Sequence, residues 1–119
     1  MASTKNAVKI YYKPSCITCK RTISEVDRMK MDVEKRDIFE DPLSESEIKK
    51  ILSLAKISPR DLLRKKDKMY RELGLDGSHT DAQLVKYMAQ YPGLIRRPIL
   101  FGRNRIIIGK ASSSEIKSV

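Results

Sequence analysis

Val8-Lys9-Ile10-Tyr11-Tyr12-Lys13-Pro14-Ser15-Cys16-Ile17-Thr18-Cys19-Lys20-Arg21 joins an apolar run to two cysteines three positions apart, and the chain turns amphipathic from Thr22 onward. Where a strand ends in a turn that opens a helix, a cysteine at the helix start meets unpaired backbone N–H groups and the positive end of the helix dipole. Both stabilise a thiolate. Cys16 is therefore the candidate nucleophile. Cys19, one turn on and on the same face, is within reach and can close a disulfide on it. The pair reads as a redox switch or catalyst. Two plainer readings exist: a pair of buried structural thiols, and half of a four-ligand zinc site. Zinc needs more soft ligands than the chain offers, which are these two cysteines and a single histidine, His79.

Outward from the motif, Val8 to Tyr12 reads as a buried strand, Cys16 to Met29 as a helix with Ile23, Val26 and Met29 on its apolar side, and Val33 to Asp37 as a second strand. That order predicts a right-handed crossover and a parallel pair, the front half of a thioredoxin-like motif. Ser44 with Glu47 forms a capping box ahead of Ile48, Ile51, Leu52 and Ala55, and Pro59 suits the first turn of a short helix through Arg64. Thr80 with Gln83 repeats the capping pattern before Leu84, Val85, Tyr87 and Met88. The whole stretch from Ser44 to Gln90 is expected to be helical, broken only at Gly74 to Gly77. After Pro92-Gly93, Pro98 to Phe101 and Arg105 to Ile108 read as a hairpin around Gly102-Arg103-Asn104, and Ser112 to Val119 as a terminal helix. The sum is an α/β fold in the order β-α-β, helical insertion (about 44–90), β-β-α, with a mixed sheet in one domain spanning 1–119. Ligands of such sheets collect at the carboxyl ends of the parallel strands, where Cys16 falls.

A chain of 119 residues buries roughly 65% of its unfolded surface and needs no staples. No run reaches the roughly 18 apolar residues of a membrane span, and Met1 to Lys9 lacks an apolar signal core, so a cytoplasmic protein without membrane association is expected. In that reducing compartment two cysteines do not make a structural framework. The net charge of +10, from 25 basic and 15 acidic residues, favours anionic partners. The basic residues are dispersed, with clusters at Arg60 to Lys68 and Arg96 to Arg105, and no aromatic-interleaved strand accompanies them. Direct sequence-specific nucleic-acid binding is therefore unsupported. No exposed apolar stripe argues for an obligate dimer, and a monomer is expected.

Three segments carry a resemblance: Pro14-Ser15-Cys16-Ile17-Thr18-Cys19-Lys20-Arg21; Leu62-Leu63-Arg64-Lys65 followed by Tyr70-Arg71-Glu72-Leu73-Gly74-Leu75; and Tyr91-Pro92-Gly93-Leu94-Ile95-Arg96-Arg97-Pro98-Ile99. In their order and spacing they resemble the arsenate reductase and Spx family. The resemblance implies a thioredoxin-like fold with a helical insertion. It also implies that Cys16 attacks arsenate, that Arg64 and Arg97 hold its oxygens, and that a thiol releases arsenite. No bound cofactor is implied; glutathione, glutaredoxin or thioredoxin would serve as external reductant. The chemistry is compatible, because arginine offers a planar fork to an oxyanion and the helix start offers backbone N–H groups. The family's proline at position 98 implies a cis Arg97-Pro98 bond.

Two residues depart from the glutaredoxin-linked reductases. Cys19 adds a potential resolving thiol where those enzymes typically have one cysteine, and in the region where they carry a third oxyanion-binding arginine, Ile106 to Lys110, only Lys110 could substitute. Lysine is a point charge without the fork. The C-x-x-C and the Pro-Gly-Leu-Ile-Arg-Arg-Pro run are shared with the Spx proteins, regulators that use the disulfide as a stress switch and bind the carboxyl-terminal domain of the RNA polymerase α subunit. The leading expectation is a thiol-dependent oxidoreductase of the arsenate reductase type. The alternative is a redox-switched transcriptional regulator.

Overall fold

Val8–Tyr12 forms strand β1, Ile17–Arg28 helix α1 and Val33–Asp37 strand β2 in the computed structural model, which describes residues 8–102 and 105–117. β1 and β2 pair in parallel, Val8 opposite Val33 and Tyr12 opposite Asp37. Ile99–Phe101 is β3 and Ile106–Ile108 is β4. The sheet order is β2-β1-β3-β4, with β3 antiparallel to both of its neighbours. The sheet is therefore mixed, and the early strand β1 and the late strand β3 lie at its centre. The turn residues Arg103 and Asn104, and the end of the expected terminal helix at 118–119, lie outside the described residues. That helix, α6, runs Ser113–Lys117.

Why α1 lies on this sheet is legible in its spacing. Cys19, Thr22 and Val26 form its buried side, at i, i+3 and i+7. Val26 is packed in a core with Ile10 of β1, Leu100 of β3, Ile107 of β4 and Ile116 of α6, and Ile23 and Met29 close its margin. Thr22 is the polar member of that side, and its hydroxyl donates to the Thr18 carbonyl at 3.0 Å, so no unpaired hydroxyl is buried.

The described chain divides into two compact units, Met1–Ile38 with Arg97–Val119, and Phe39–Arg96. The second unit is helical. Glu45–Ala55 is α2 and Asp81–Gln90 is α5, each opened by the capping box read from sequence. Ser44 Oγ accepts from the Glu47 N–H at 3.1 Å and Thr80 Oγ1 from the Gln83 N–H at 3.1 Å. Buried Ile48, Ile51 and Leu52 of α2, and Leu84, Val85 and Met88 of α5, supply much of this unit's core.

Between them the expectation of continuous helix is corrected. Only Pro59–Leu62 (α3) and Lys68–Glu72 (α4) are helical, and α3 stops two residues before Arg64. The backbone at 62–64 finds its partners across the unit instead of along a helix. Leu63 forms a β-bridge with Ile95, Arg64 N–H donates to the Leu94 carbonyl at 2.7 Å, and Arg96 N–H donates to the Leu62 carbonyl at 2.9 Å. These tertiary bonds satisfy groups that a longer helix would have paired internally. Residues 73–80 are also non-helical. There Arg60 donates from Nη1 to the Leu75 carbonyl at 2.7 Å and from Nη2 to the Gly77 carbonyl at 2.6 Å. No helix among the described residues is long and apolar enough to cross a membrane.

Candidate functional site

Cys16 sits at the end of a tight turn. Its N–H donates to the Lys13 carbonyl at 3.0 Å, and Pro14 occupies the turn position that a fixed φ favours. The residue then takes extended dihedrals, φ −80° and ψ 122°, and serves as the N-cap of α1. Serine or aspartate usually fills that role with an oxygen. Here the acceptor is sulfur, and Cys16 Sγ receives the backbone N–H of Cys19 at 3.3 Å. The first turn of α1 carries no acidic residue, so no carboxylate there competes with a thiolate for the positive helix end.

The two thiols are free and differ in environment: Cys16 is part-exposed, Cys19 fully buried. Partial burial of Cys16 works against its thiolate. Hydrogen bonds from the Cys19 side chain and backbone and from the Arg97 side chain, with the Arg97 charge, outweigh it and hold the thiol below its ordinary pKa. Burial pushes Cys19 up to about 12; a hydrogen bond with the Lys13 backbone and the charge of Arg97 oppose this, while the hydrogen bond and charge of Cys16 add to it. At neutral pH the pair therefore holds one sulfur biased toward the nucleophilic form and one kept protonated behind it. Exposure and a lowered thiol pKa coincide on Cys16, the combination reactive cysteines need.

Arg97 reaches this centre from the start of β3, and its bond to Pro98 is cis. The family resemblance implies Arg97 as an oxyanion ligand; its action on the thiolate itself was not legible, since nothing in residue spacing says that a side chain 81 positions on faces Cys16. Lys110 follows β4 and lines a shallow groove on the flank of α1 with Thr18, Arg21, Glu25 and Ser113. The contacts described at the Cys16 sulfur come from Cys19 and Arg97 rather than from Lys110. Arg64 belongs to the helical unit, where its Nη1 lies 3.8 Å from Asp67 Oδ1. Among the described residues no group of three or more His, Cys, Asp or Glu side chains could hold a metal ion.

This arrangement of sheet and helices recurs in known proteins. The chain is 31% identical over 103 residues to the global transcriptional regulator Spx 1 of Bacillus cereus, covering 86% of this chain and 79% of the relative. An arsenate reductase from Vibrio cholerae superposes with a TM-score of 0.86 at 25% identity, over 94% of this chain and 97% of that one. A candidate arsenate reductase from Yersinia pestis gives 0.85 at 29% identity, over 94% and 99%. The fold is thus the thioredoxin-like fold of these reductases, with its mixed four-stranded sheet. With the ArsC family model matching residues 11–118, nearly the whole length over which the thiol turn, the Leu62–Leu75 segment and the Arg97-Pro98 strand start are laid out, the chain belongs to the ArsC family.

Proposed function

We propose that the protein is a thiol-dependent oxidoreductase of the arsenate reductase type, with Cys16 as nucleophile and Cys19 as resolving thiol. One observation carries this reading: the opposite displacement of the two thiols, Cys16 lowered and Cys19 raised to about 12. A nucleophile must be ionised before substrate arrives. A resolving thiol is best kept protonated until its partner has reacted.

In the first step the Cys16 thiolate attacks arsenic; a sulfur–arsenic bond forms and one arsenic–oxygen bond breaks, its oxygen leaving as water after protonation. In the second step Cys19, or an external thiol, attacks the Cys16 sulfur. The sulfur–arsenic pair stays on arsenic, which falls from As(V) to As(III) and departs as arsenite, and the new disulfide carries the oxidation. Glutathione with glutaredoxin, or thioredoxin, then reduces that disulfide. Arg97 and Arg64 are assigned the oxygens of the oxyanion, since a guanidinium can offer two parallel N–H bonds to a tetrahedral anion. Lys110 is a further candidate cation.

The similarity to Spx 1, together with the second cysteine, favours one other reading, a regulator whose Cys16–Cys19 disulfide changes its affinity for the carboxyl-terminal domain of the RNA polymerase α subunit. The two readings separate in one experiment: arsenate-dependent NADPH oxidation by the purified protein, coupled in parallel to glutathione with glutaredoxin and to thioredoxin with its reductase. Turnover that disappears in Cys16→Ser supports the reductase, and the productive coupling names the reductant. No turnover in either system, with redox-dependent retention of the polymerase domain in a pull-down, replaces it with the regulator.

A further inference from the structure

Arg64 poses a problem of control. Its backbone is pinned by the Leu94 carbonyl at 2.7 Å, but an arginine side chain retains roughly 2 kcal/mol of rotamer freedom, and a guanidinium that wanders is a poor ligand for a small anion. Among the described residues its side chain makes no hydrogen bond, and its one described ion pair is with Asp67, at 3.8 Å. That separation is too long for a hydrogen bond. Asp67 therefore acts on Arg64 by charge alone and leaves its N–H donors open.

Asp67 is itself held on three sides. Its N–H donates to the Arg64 carbonyl at 3.1 Å, which closes the turn bringing the two side chains together. Its Oδ2 accepts the Met69 N–H at 3.1 Å as the N-cap of α4. Its Oδ1 lies against Gly93, so close that a Cβ added there would sit 2.6 Å away. Only glycine leaves room for the carboxylate in this orientation. The acidic group is thus a fixed reference charge, 19% exposed beside an arginine that is 36% exposed.

We infer that Asp67 is a positioning residue for Arg64: its carboxylate, seated on Gly93 and the start of α4, sets the direction of the Arg64 guanidinium for a tetrahedral oxyanion while consuming none of its hydrogen-bond donors. This rests on the oxyanion reading of Arg64 above.

The test compares wild type, Asp67→Asn, Arg64→Gln and the double variant. Asparagine caps a helix as well as aspartate does and is the same size beside Gly93, so it removes the charge while keeping the cap; equal thermal midpoints establish that the fold is intact. Two readouts are taken: kcat and KM for arsenate in the coupled assay, and protection of Cys16 by arsenate against iodoacetamide, which needs no turnover. Asp67→Asn is expected to raise the arsenate KM, and the concentration giving half-protection, by roughly three- to tenfold with a smaller change in kcat, and to add nothing in the Arg64→Gln background. An unchanged or lowered KM in Asp67→Asn, where Arg64→Gln raises it, overturns the positioning role and leaves the oxyanion reading standing. Absence of both turnover and protection in wild type overturns that reading and this inference with it, a result visible before any variant is compared.

Discussion

The backbone N–H of Cys19 points at the sulfur of Cys16 from 3.3 Å, so the residue that would resolve the nucleophile also helps to hold it ionised. Both its amide and its thiol take part, each hydrogen-bonding to Cys16 and lowering it. The amide needs only helical geometry, whereas the thiol needs the burial that keeps it protonated. Replacing the Cys19 side chain therefore leaves the amide contribution in place.

That separation predicts a graded pattern of alkylation. Cys16 should react with iodoacetamide with an apparent pKa below that of an ordinary thiol, and Cys19 should stay unmodified through neutral pH. Arg97→Gln should move the Cys16 midpoint upward, because the hydrogen bond and charge from that side chain are among the forces lowering it. Rates from peptide mass spectrometry across pH 5 to 10 check this; a midpoint unmoved by Arg97→Gln would remove Arg97 from the thiolate's surroundings.

Alkaline stability should depend on Cys19. Its thiol is raised to about 12 in the folded protein, so above the ordinary thiol value the unfolded chain releases a proton that the folded chain keeps. The unfolded state then binds fewer protons, and stability falls as pH rises from about 8.5 toward 12, by up to about 1.4 kcal/mol per unit. Below that window the contribution is constant. Denaturant unfolding of wild type and Cys19→Ala at pH 7.5 and 10 should show the variant less stable at the lower pH but flatter between the two. Equal slopes would mean that Cys19 titrates normally.

Arg60 should matter more than its surface position suggests. Its guanidinium donates to the carbonyls of Leu75 and Gly77, and bonds from a charged donor contribute about 1.5–3 kcal/mol each at most. Arg60→Ala is expected to destabilise the protein by about 2 kcal/mol and to raise hydrogen exchange across 73–80. Arg60→Lys should recover only part of this, since one ammonium cannot reproduce the fork. Unchanged exchange in that segment would show that the loop is held by its own backbone bonds and Leu75 burial, without Arg60.

Much of this molecule was legible because local chemistry and tertiary structure agree in it. β1, β2 and the capped starts of α2 and α5 fall where the apolar spacing and the Ser44 and Thr80 boxes put them, since a cap is decided within four residues. The failure was equally physical. Leu62 to Arg64 look like helix, and nothing nearby reveals that their backbone bonds are made to Leu94, Ile95 and Arg96, some thirty residues on. The same holds at the candidate site. Cys16 announces itself through its neighbours in the chain, whereas the grip of Arg97 on it exists only in three dimensions. A hint was present at Gly93, whose missing side chain marks the seat of Asp67.

The sheet order carries a consequence for synthesis. β1 is completed in the sheet's centre only when β3 arrives, Ile10 facing Leu100 across ninety residues of sequence. Chains emerge from the ribosome amino end first, and joining such distant segments means closing a long loop, slow relative to local helix formation. Cys16 and Cys19 thus leave the ribosome long before Arg97 or the β3 half of the core exists. During that interval Cys16 lacks the hydrogen bond and charge of Arg97 and Cys19 lacks part of its burial, so the full difference between them is acquired only once β3 has followed.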